Sequence, residues 1–148
     1  MARLMAVLVT GVAGFIGSWT ARALLDRGED VIGIDNLNDY YDPSLKQARL
    51  KSLSSRFDNR FRFEQVDFSD AAALARLSDS SDFDRIVHLG AQAGVRYSIE
   101  NPQAYVQSNL VGHCNMNKDL RTGSEEIAKL LLIWRNSERD CPGSGLRP

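Results

Sequence analysis

Hydrophobic and polar residues follow two different periods along this chain, and the two periods alternate. Strand-like runs occupy residues 4–9, 31–34, 61–66 and 85–89, and the first is continuously apolar, as expected for a strand buried on both faces. Between the runs, apolar residues recur at helical spacing, as in Ile16, Thr20, Ala23 and Leu24. This alternation is typical of βαβ units. We therefore predict a Rossmann-like, doubly wound α/β fold with a parallel sheet, truncated to four or five strands.

The ends of the predicted helices carry recognisable capping residues. Gly28 is placed to end the first helix in a left-handed conformation. Asp42 and Asn101 are each followed by proline, the combination expected for an N-cap residue before the first helical position. Ser69 is predicted to cap a short third helix. The helix that follows Asn101 is predicted to be long.

Composition and charge narrow the class of protein. The chain has 148 residues, 43% hydrophobic and 25% charged, as in one globular domain. Its net charge of −1 favours neither nucleic acid nor an anionic membrane, and no apolar run approaches the roughly 20 residues that span a bilayer. Two cysteines without a CxxC motif, and only two histidines, indicate neither a disulfide framework nor a metal site. We expect a cytoplasmic protein with no nucleic-acid or membrane partner.

A glycine-rich turn follows the first predicted strand and opens the first predicted helix. Gly11 permits the sharp turn, Gly14 lets the backbone approach a pyrophosphate, and Gly17 lets the helix pack close to the sheet. The pyrophosphate would then lie on free N–H groups at the helix N-terminus. The alternative is that these are ordinary turn glycines. Because strand, turn, helix and a second strand occur in the required order, we interpret the turn as a dinucleotide-binding loop.

Acidic residues end the second and third predicted strands. Asp35, 18 residues after Gly17, could accept hydrogen bonds from both ribose hydroxyls of an adenosine and would repel a 2′-phosphate, which favours NAD over NADP. Asn36 could assist at the ribose. Asp67 or Phe68, at the same edge of the sheet, could border the adenine. The alternative for Asp67 is a role in capping the next helix.

The stretches "TGVAGFIGSWTARALLDRGEDVIGIDNLNDYYDPSLK", "VDFSD" and "VHLGAQAGVRYSIENPQAYVQSNLVG" resemble the extended short-chain dehydrogenase/reductase superfamily. Within it, "DNLNDYYDP" and "AGVRYS" are most similar to the UDP-glucuronate 4-epimerase branch of NAD-dependent sugar-nucleotide epimerases. The resemblance covers residues 4 to about 116. It implies NAD as the cofactor, a UDP-sugar as the substrate and a homodimer, the dimer being the state in the family. The residues that match cofactor-binding positions are Gly11, Gly14, Phe15, Ile16, Gly17, Asp35, Asn36, Asp67, Phe68, Leu89, Gly90, Ala91 and Gln92.

The same resemblance implies roles for residues near the fourth predicted strand. Gly90 stands where the family more often has alanine. Arg96 would offer a forked cation to an anionic substrate, and its alternative is a surface ion pair. Asn109 matches an asparagine that holds the active-site backbone, and an ordinary polar helix position is its alternative. His88 is expected to be a buried, hydrogen-bonded histidine rather than a catalytic base.

The family's catalytic pair, a tyrosine followed four residues later by lysine, does not occur in the 148 residues. Its serine-rich strand end is also unmatched, so we assign no catalytic residue and expect this chain alone to be inactive. We predict an incomplete NAD-binding domain over residues 1–120 and a divergent, partly disordered tail over residues 121–148, in which residues 130–134 are a candidate fifth strand. A non-catalytic NAD-binding remnant or partner subunit, and a sugar-nucleotide 4,6-dehydratase or decarboxylase, remain alternatives.

Overall fold

A computed structural model describes residues 6–118 and 128–131 of the chain. Strands and helices alternate along most of it. The strands are β1 (Ala6–Thr10), β2 (Val31–Asp35), β3 (Phe61–Gln65), β4 (Phe83–His88) and β5 (Ala128–Leu131). The helices are α1 (Phe15–Asp26), α2 (Pro43–Phe57), α3 (Ala71–Ser80), α4 (Val95–Glu100), α5 (Pro102–Tyr105) and α6 (His113–Lys118), and a π-helical segment (Val106–Gly112) joins α5 to α6.

The five strands form one parallel sheet in the order β3-β2-β1-β4-β5. Strand β1 lies at its centre, where Val9 pairs with Gly33 of β2 and with Val87 of β4. Because all strands are parallel, Thr10, Asp35 and His88 end β1, β2 and β4 at the same edge. The predicted Rossmann-like, parallel α/β fold is confirmed.

The core has two layers because alternate residues of each strand point to opposite faces of the sheet. On one face, Val7 and Val9 of β1 pack with Leu25 of α1 and with apolar residues of α2. On the other face, Leu8 of β1 packs in a cluster with α3 and with Met116 of α6. Burial on both faces explains why residues 6–9 of β1 are continuously apolar.

Helix α1 does not bury all of the apolar residues that recur at helical spacing. Its buried residues are Gly17, Ser18, Ala21 and Leu25, whereas Ile16 is 54% exposed. The first three have small side chains, so the helix backbone lies close to the sheet and Leu25 supplies the apolar contact. Close packing against the sheet therefore selects small residues over large apolar ones such as Ile16.

The predicted helix ends are confirmed at three positions. Gly28 has φ of 89°, and its N–H and the N–H of Glu29 donate to carbonyl groups in the last turn of α1. The Asp42 carboxylate accepts from the N–H of Ser44 at 2.9 Å. The Asn101 side chain accepts from the N–H of Ala104 at 3.3 Å.

Other boundaries differ from the prediction. Helix α3 is capped by Asp70 and not by Ser69, since the Asp70 carboxylate accepts from the N–H of Ala73 at 3.1 Å. A short helix, α4, precedes Asn101, and the long helix after it contains the π-helical turn. Strand β5 overlaps only the first two residues of the predicted fifth strand, and residues 119–127 and 132–148 of the chain lie outside the described residues. Among the described residues, no helix is long and apolar enough to cross a membrane.

Candidate dinucleotide-binding site

A pocket lies at the carboxyl edge of the sheet, where the loops after β1, β2 and β4 converge. All of the predicted cofactor residues line it except Phe15, Ile16, Gly17 and Asp67. Lys46 and Tyr40 also line it and were not predicted. Doubly wound folds bind ligands at the edge of the sheet where the strand order reverses. In this sheet the order reverses at β1, because β2 and β4 lie on opposite sides of it.

The glycine turn is built by close approaches of its own backbone. Gly11 has φ of 67°, in the left-handed region that favours glycine, and its carbonyl accepts from the N–H of Gly14 at 3.0 Å. A Cβ at Gly17 would lie 2.7 Å from the Gly11 carbonyl carbon and closer still to its oxygen. Gly17 is therefore required for packing and not for lining the pocket.

The N-terminus of α1 opens beside this turn. Gly14 is the N-cap, and the N–H groups of Phe15 and Ile16, in the first turn, have no acceptor within α1. The Phe15 and Ile16 side chains are 67% and 54% exposed. Any contact of these two residues with a ligand in the pocket would therefore use their backbone N–H groups, and their role stays a prediction.

Asp35 ends β2 with its carboxylate 8% exposed and held on both oxygens. The N–H of Leu37 donates to Oδ1 at 2.8 Å, and the N–H of Ala13, in the glycine turn, donates to Oδ2 at 3.3 Å. The ammonium of Lys46 lies 3.5 Å from Oδ1. The carboxylate is thus oriented toward the glycine turn before any ligand binds.

Sequence reasoning missed Lys46, although a signal was present. Lys46 shares the buried face of α2 with Leu50, Leu53 and Phe57. A lysine on the apolar face of a helix is unusual, since lysine is almost never fully buried without a partner. The helical spacing could have identified this residue, but the identity of its partner depends on the tertiary structure.

The carboxylate of Asp67 holds the side chain of Asn36 in place. The Asn36 amide donates to Oδ2 of Asp67 at 3.0 Å, and the N–H of Ser69 donates to Oδ1 at 2.8 Å. Partial burial raises the pKa of Asp67, but these hydrogen bonds outweigh it and hold that pKa below its usual range. The carboxylate therefore stays ionised and positions Asn36, which lines the pocket.

Phe68 forms part of the pocket wall and is fixed by two glycines. A Cβ at Gly90 would lie 2.5 Å from one edge of the Phe68 ring. A Cβ at Gly112 would lie 2.5 Å from the other edge of the same ring. Gly90 thus makes room for an aromatic ring at this point of the wall. An alanine there would require Phe68 to move.

A buried threonine ties the loop after β4 to the sheet. The Thr10 hydroxyl oxygen accepts from the N–H of Leu89 at 3.0 Å and from the N–H of Gly90 at 2.9 Å. With both lone pairs engaged, its hydrogen donates to Nδ1 of His88 at 2.7 Å. His88 is therefore neutral, with its proton on Nε2. This is the buried, hydrogen-bonded histidine that the sequence predicted.

His88 should make the stability of the fold depend on pH. Burial, with a smaller contribution from His113, lowers the pKa of His88 to about 4. The unfolded chain has its ordinary pKa of about 6.5, so it binds more protons than the folded chain between these values. We expect the free energy of unfolding to fall by up to about 3 kcal/mol as the pH is lowered through this window.

Urea unfolding of His88→Asn measures this effect, because an asparagine carbonyl can still accept from Thr10. The variant should lose that part of the pH dependence, whereas the control His113→Asn should keep most of it, because burial is the larger cause of the lowered pKa of His88. An unchanged pH dependence in His88→Asn would contradict the assignment.

Residues 92–93, in the loop after β4, are held by hydrogen bonds from Asn109 in the π-helical segment and from Tyr105 in α5. The Asn109 amide oxygen accepts from the N–H of Gln92 at 2.8 Å, and its NH₂ group donates to the Gln92 carbonyl at 3.0 Å. The Tyr105 hydroxyl donates to the Ala93 carbonyl at 2.6 Å. Asn109 therefore holds the backbone of this loop and is not an ordinary polar helix position.

Arg96 is exposed on α4 and lies outside the pocket lining, so its role stays a prediction.

A parallel doubly wound sheet, a glycine turn at a helix N-terminus and a buried carboxylate at the end of β2 are features of the Rossmann class of folds. A family model described as GDP-mannose 4,6 dehydratase matches residues 8–133. UDP-glucuronate 4-epimerase 1 of Arabidopsis thaliana is 47% identical over 133 residues, which are 90% of this chain and 30% of that protein.

Solved structures show the same relationship. UDP-glucose 4-epimerase from Stenotrophomonas maltophila, with bound NAD and formylated UDP-arabinopyranose, has a TM-score of 0.68 at 27% identity, over 79% of this chain and 33% of that one. The Thermus thermophilus UDP-glucose 4-epimerase complex with NAD has a TM-score of 0.63 at 32% identity, over 79% and 34% of the two chains. The chain belongs to the GDP-mannose 4,6 dehydratase family of NAD-dependent epimerases and dehydratases. It spans about a third of the length of these relatives.

Proposed function

We propose that this chain is the NAD-binding part of a sugar-nucleotide epimerase, most closely a UDP-glucuronate 4-epimerase. The observation that carries the proposal is the convergence of the glycine turn, Asp35 and the segment 89–92 on one pocket. The 47% identity to the Arabidopsis UDP-glucuronate 4-epimerase supports the choice within the family.

The pocket residues fit NAD by their chemistry. The N–H groups at the start of α1 would hold the pyrophosphate, with Gly14 allowing its close approach. Asp35 would accept from the adenosine ribose hydroxyls, and Asn36 would assist, with Phe68 beside the adenine. The small residues Gly90 and Ala91 would let the backbone pass the inner ribose. A bound NAD would supply the hydride acceptor and donor for oxidation and re-reduction at C4 of the sugar, and the base that takes the C4 hydroxyl proton is not assigned among these residues.

The substrate, assembly and location belong to the same proposal. A UDP-sugar is the substrate class we propose, with Arg96 offering its guanidinium to a carboxylate or phosphate. A homodimer follows from the resemblance to the epimerases. Cys114, a free and exposed thiol, is consistent with a cytoplasmic protein.

Two alternatives remain. The family model is described as a GDP-mannose 4,6 dehydratase, which favours a sugar-nucleotide 4,6-dehydratase, or a decarboxylase on the same scaffold, that uses the same cofactor site. The other is an NAD-binding remnant or partner subunit without its own chemistry. Both alternatives require the dinucleotide site.

We expect NAD to raise the thermal midpoint of the purified chain. At about a hundredfold excess over the dissociation constant, the gain of about 2.7 kcal/mol corresponds to roughly 5–10 °C. Differential scanning calorimetry measures the shift. Asp35→Ala should reduce it, because the ribose hydroxyls lose their acceptor.

Asp39→Ala is the matched control, since Asp39 is an exposed carboxylate in the loop that follows. It should keep the full shift. If millimolar NAD left the midpoint of the unsubstituted chain unchanged, the binding proposal would fail.

A further inference from the structure

Lys46 places a buried cation in the wall of the proposed cofactor pocket. Its side chain is 7% exposed, and it lines the pocket together with Asp35. The ammonium lies 3.5 Å from Oδ1 of Asp35. The carboxylate that faces a bound adenosine is therefore one half of an ion pair.

The ammonium is held in place by the loop after β2. It donates to the Asn38 backbone carbonyl at 3.0 Å and to the Asn38 side-chain oxygen at 2.8 Å. Asp35 is its third partner, as an ion pair at 3.5 Å. Its stem is packed on the buried face of α2 beside Leu50. Lys46 is therefore fixed near Asp35 and does not sample the solvent like a surface lysine.

This arrangement changes the electrostatic argument for cofactor choice. An isolated Asp35 would repel a 2′-phosphate and so select NAD strongly. With Lys46 beside it, the same phosphate would meet charges of both signs in a buried site, where solvent screens them weakly. The attraction to Lys46 would offset much of the repulsion by Asp35.

We propose that the Asp35–Lys46 pair, and not Asp35 alone, sets the discrimination between NAD and NADP. This inference rests on the proposed dinucleotide function of the pocket. In the unsubstituted chain, Asp35 forms an ion pair with the Lys46 ammonium, and NAD is moderately preferred. Removing the carboxylate frees the ammonium to pair with a phosphate oxygen. Removing the ammonium leaves the carboxylate unopposed.

The two single substitutions should therefore shift specificity in opposite directions. Asp35→Asn should move the ratio of the NAD and NADP dissociation constants toward NADP by about tenfold or more. Lys46→Met should move it toward NAD by a similar factor. In the double variant, which has neither charge, the ratio should lie between those of the two single variants. The double-mutant cycle of these four chains isolates the coupling between Asp35 and Lys46.

Isothermal titration of each purified chain with NAD and with NADP is the test. Lys51→Met is the matched control, because Lys51 is exposed on the same helix, and it should leave the ratio unchanged. Thermal midpoints without ligand show which variants are folded. If Lys46→Met does not fold, Lys46→Gln replaces it, and Asp35→Asn tests the pair from the other side.

The outcomes separate the inference from the function on which it rests. If NAD binds the unsubstituted chain but neither single variant changes the ratio, the role of the pair is overturned and the site stands. If only Asp35→Asn changes the ratio, Asp35 acts alone and the inference is likewise overturned. If neither NAD nor NADP binds the unsubstituted chain, both the site and the inference are wrong.

Discussion

Gly17→Ala is expected to destabilise the fold by about 3 kcal/mol or more. Helix propensity alone predicts the opposite, because alanine is better than glycine inside a helix by about 1 kcal/mol. The contact between the added methyl group and the backbone decides whether the substitution stabilises or destabilises the fold. The added methyl group would lie 2.7 Å from the Gly11 carbonyl carbon and closer to its oxygen, where no flexible side chain can yield. Helix α1 would have to move away from the sheet.

Urea unfolding followed by circular dichroism measures this loss, and Gly14→Ala is the matched control. Its Cβ would lie 3.1 Å from the Gly11 carbonyl oxygen, a tight but tolerable distance, so we expect a stability change within about 1 kcal/mol. The same variant should weaken NAD binding by about tenfold or more, because the methyl group stands where the pyrophosphate approaches. Equal stability of the two variants would show that the tight turn at Gly11 is not rigid.

Thr10→Val is expected to cost about 2–4 kcal/mol of stability. The side chain keeps its shape, but the N–H groups of Leu89 and Gly90 lose their acceptor and Nδ1 of His88 loses its donor. Unsatisfied groups of this kind cost about 1–3 kcal/mol each, and partial exposure of the loop lets water replace some of the bonds.

Thr10→Ser is the control, because it keeps the hydroxyl and removes only a methyl group, worth about 1 kcal/mol. Hydrogen exchange at Leu89 and Gly90 should accelerate in Thr10→Val and stay slow in Thr10→Ser. NAD affinity should also fall in Thr10→Val and not in Thr10→Ser, since Leu89 and Gly90 line the pocket. If the two variants behaved alike, the hydroxyl would not be what holds this loop.

The site could be predicted wherever its signal is local in the sequence. The glycine turn and Asp35 follow strands directly, so the strand pattern and the known geometry of parallel sheets place them at one edge. The N-caps at Asp42 and Asn101 are similarly local, because each side chain bonds to a backbone group two or three residues away. Such features need only a few residues of context.

The features that sequence reasoning missed depend on distant partners. Lys46 is a pocket residue because Asp35 lies beside it, and lysine is ordinarily assigned to the surface. The apolar spacing in α1 does not identify its buried face, because spacing does not show how closely a helix approaches the sheet. Asn109 had two open interpretations until its amide was found paired with the Gln92 backbone.

The sequence by itself determined the class of fold, the glycine turn and the acidic residue at the end of β2. These follow from periodicity and from conformations that only particular residues adopt. The tertiary structure decided which charges meet in the pocket, which face of α1 is buried, and which bonds hold the loop after β4. Those outcomes depend on distances between residues far apart in the chain, and such distances exist only after the two layers have packed on the sheet.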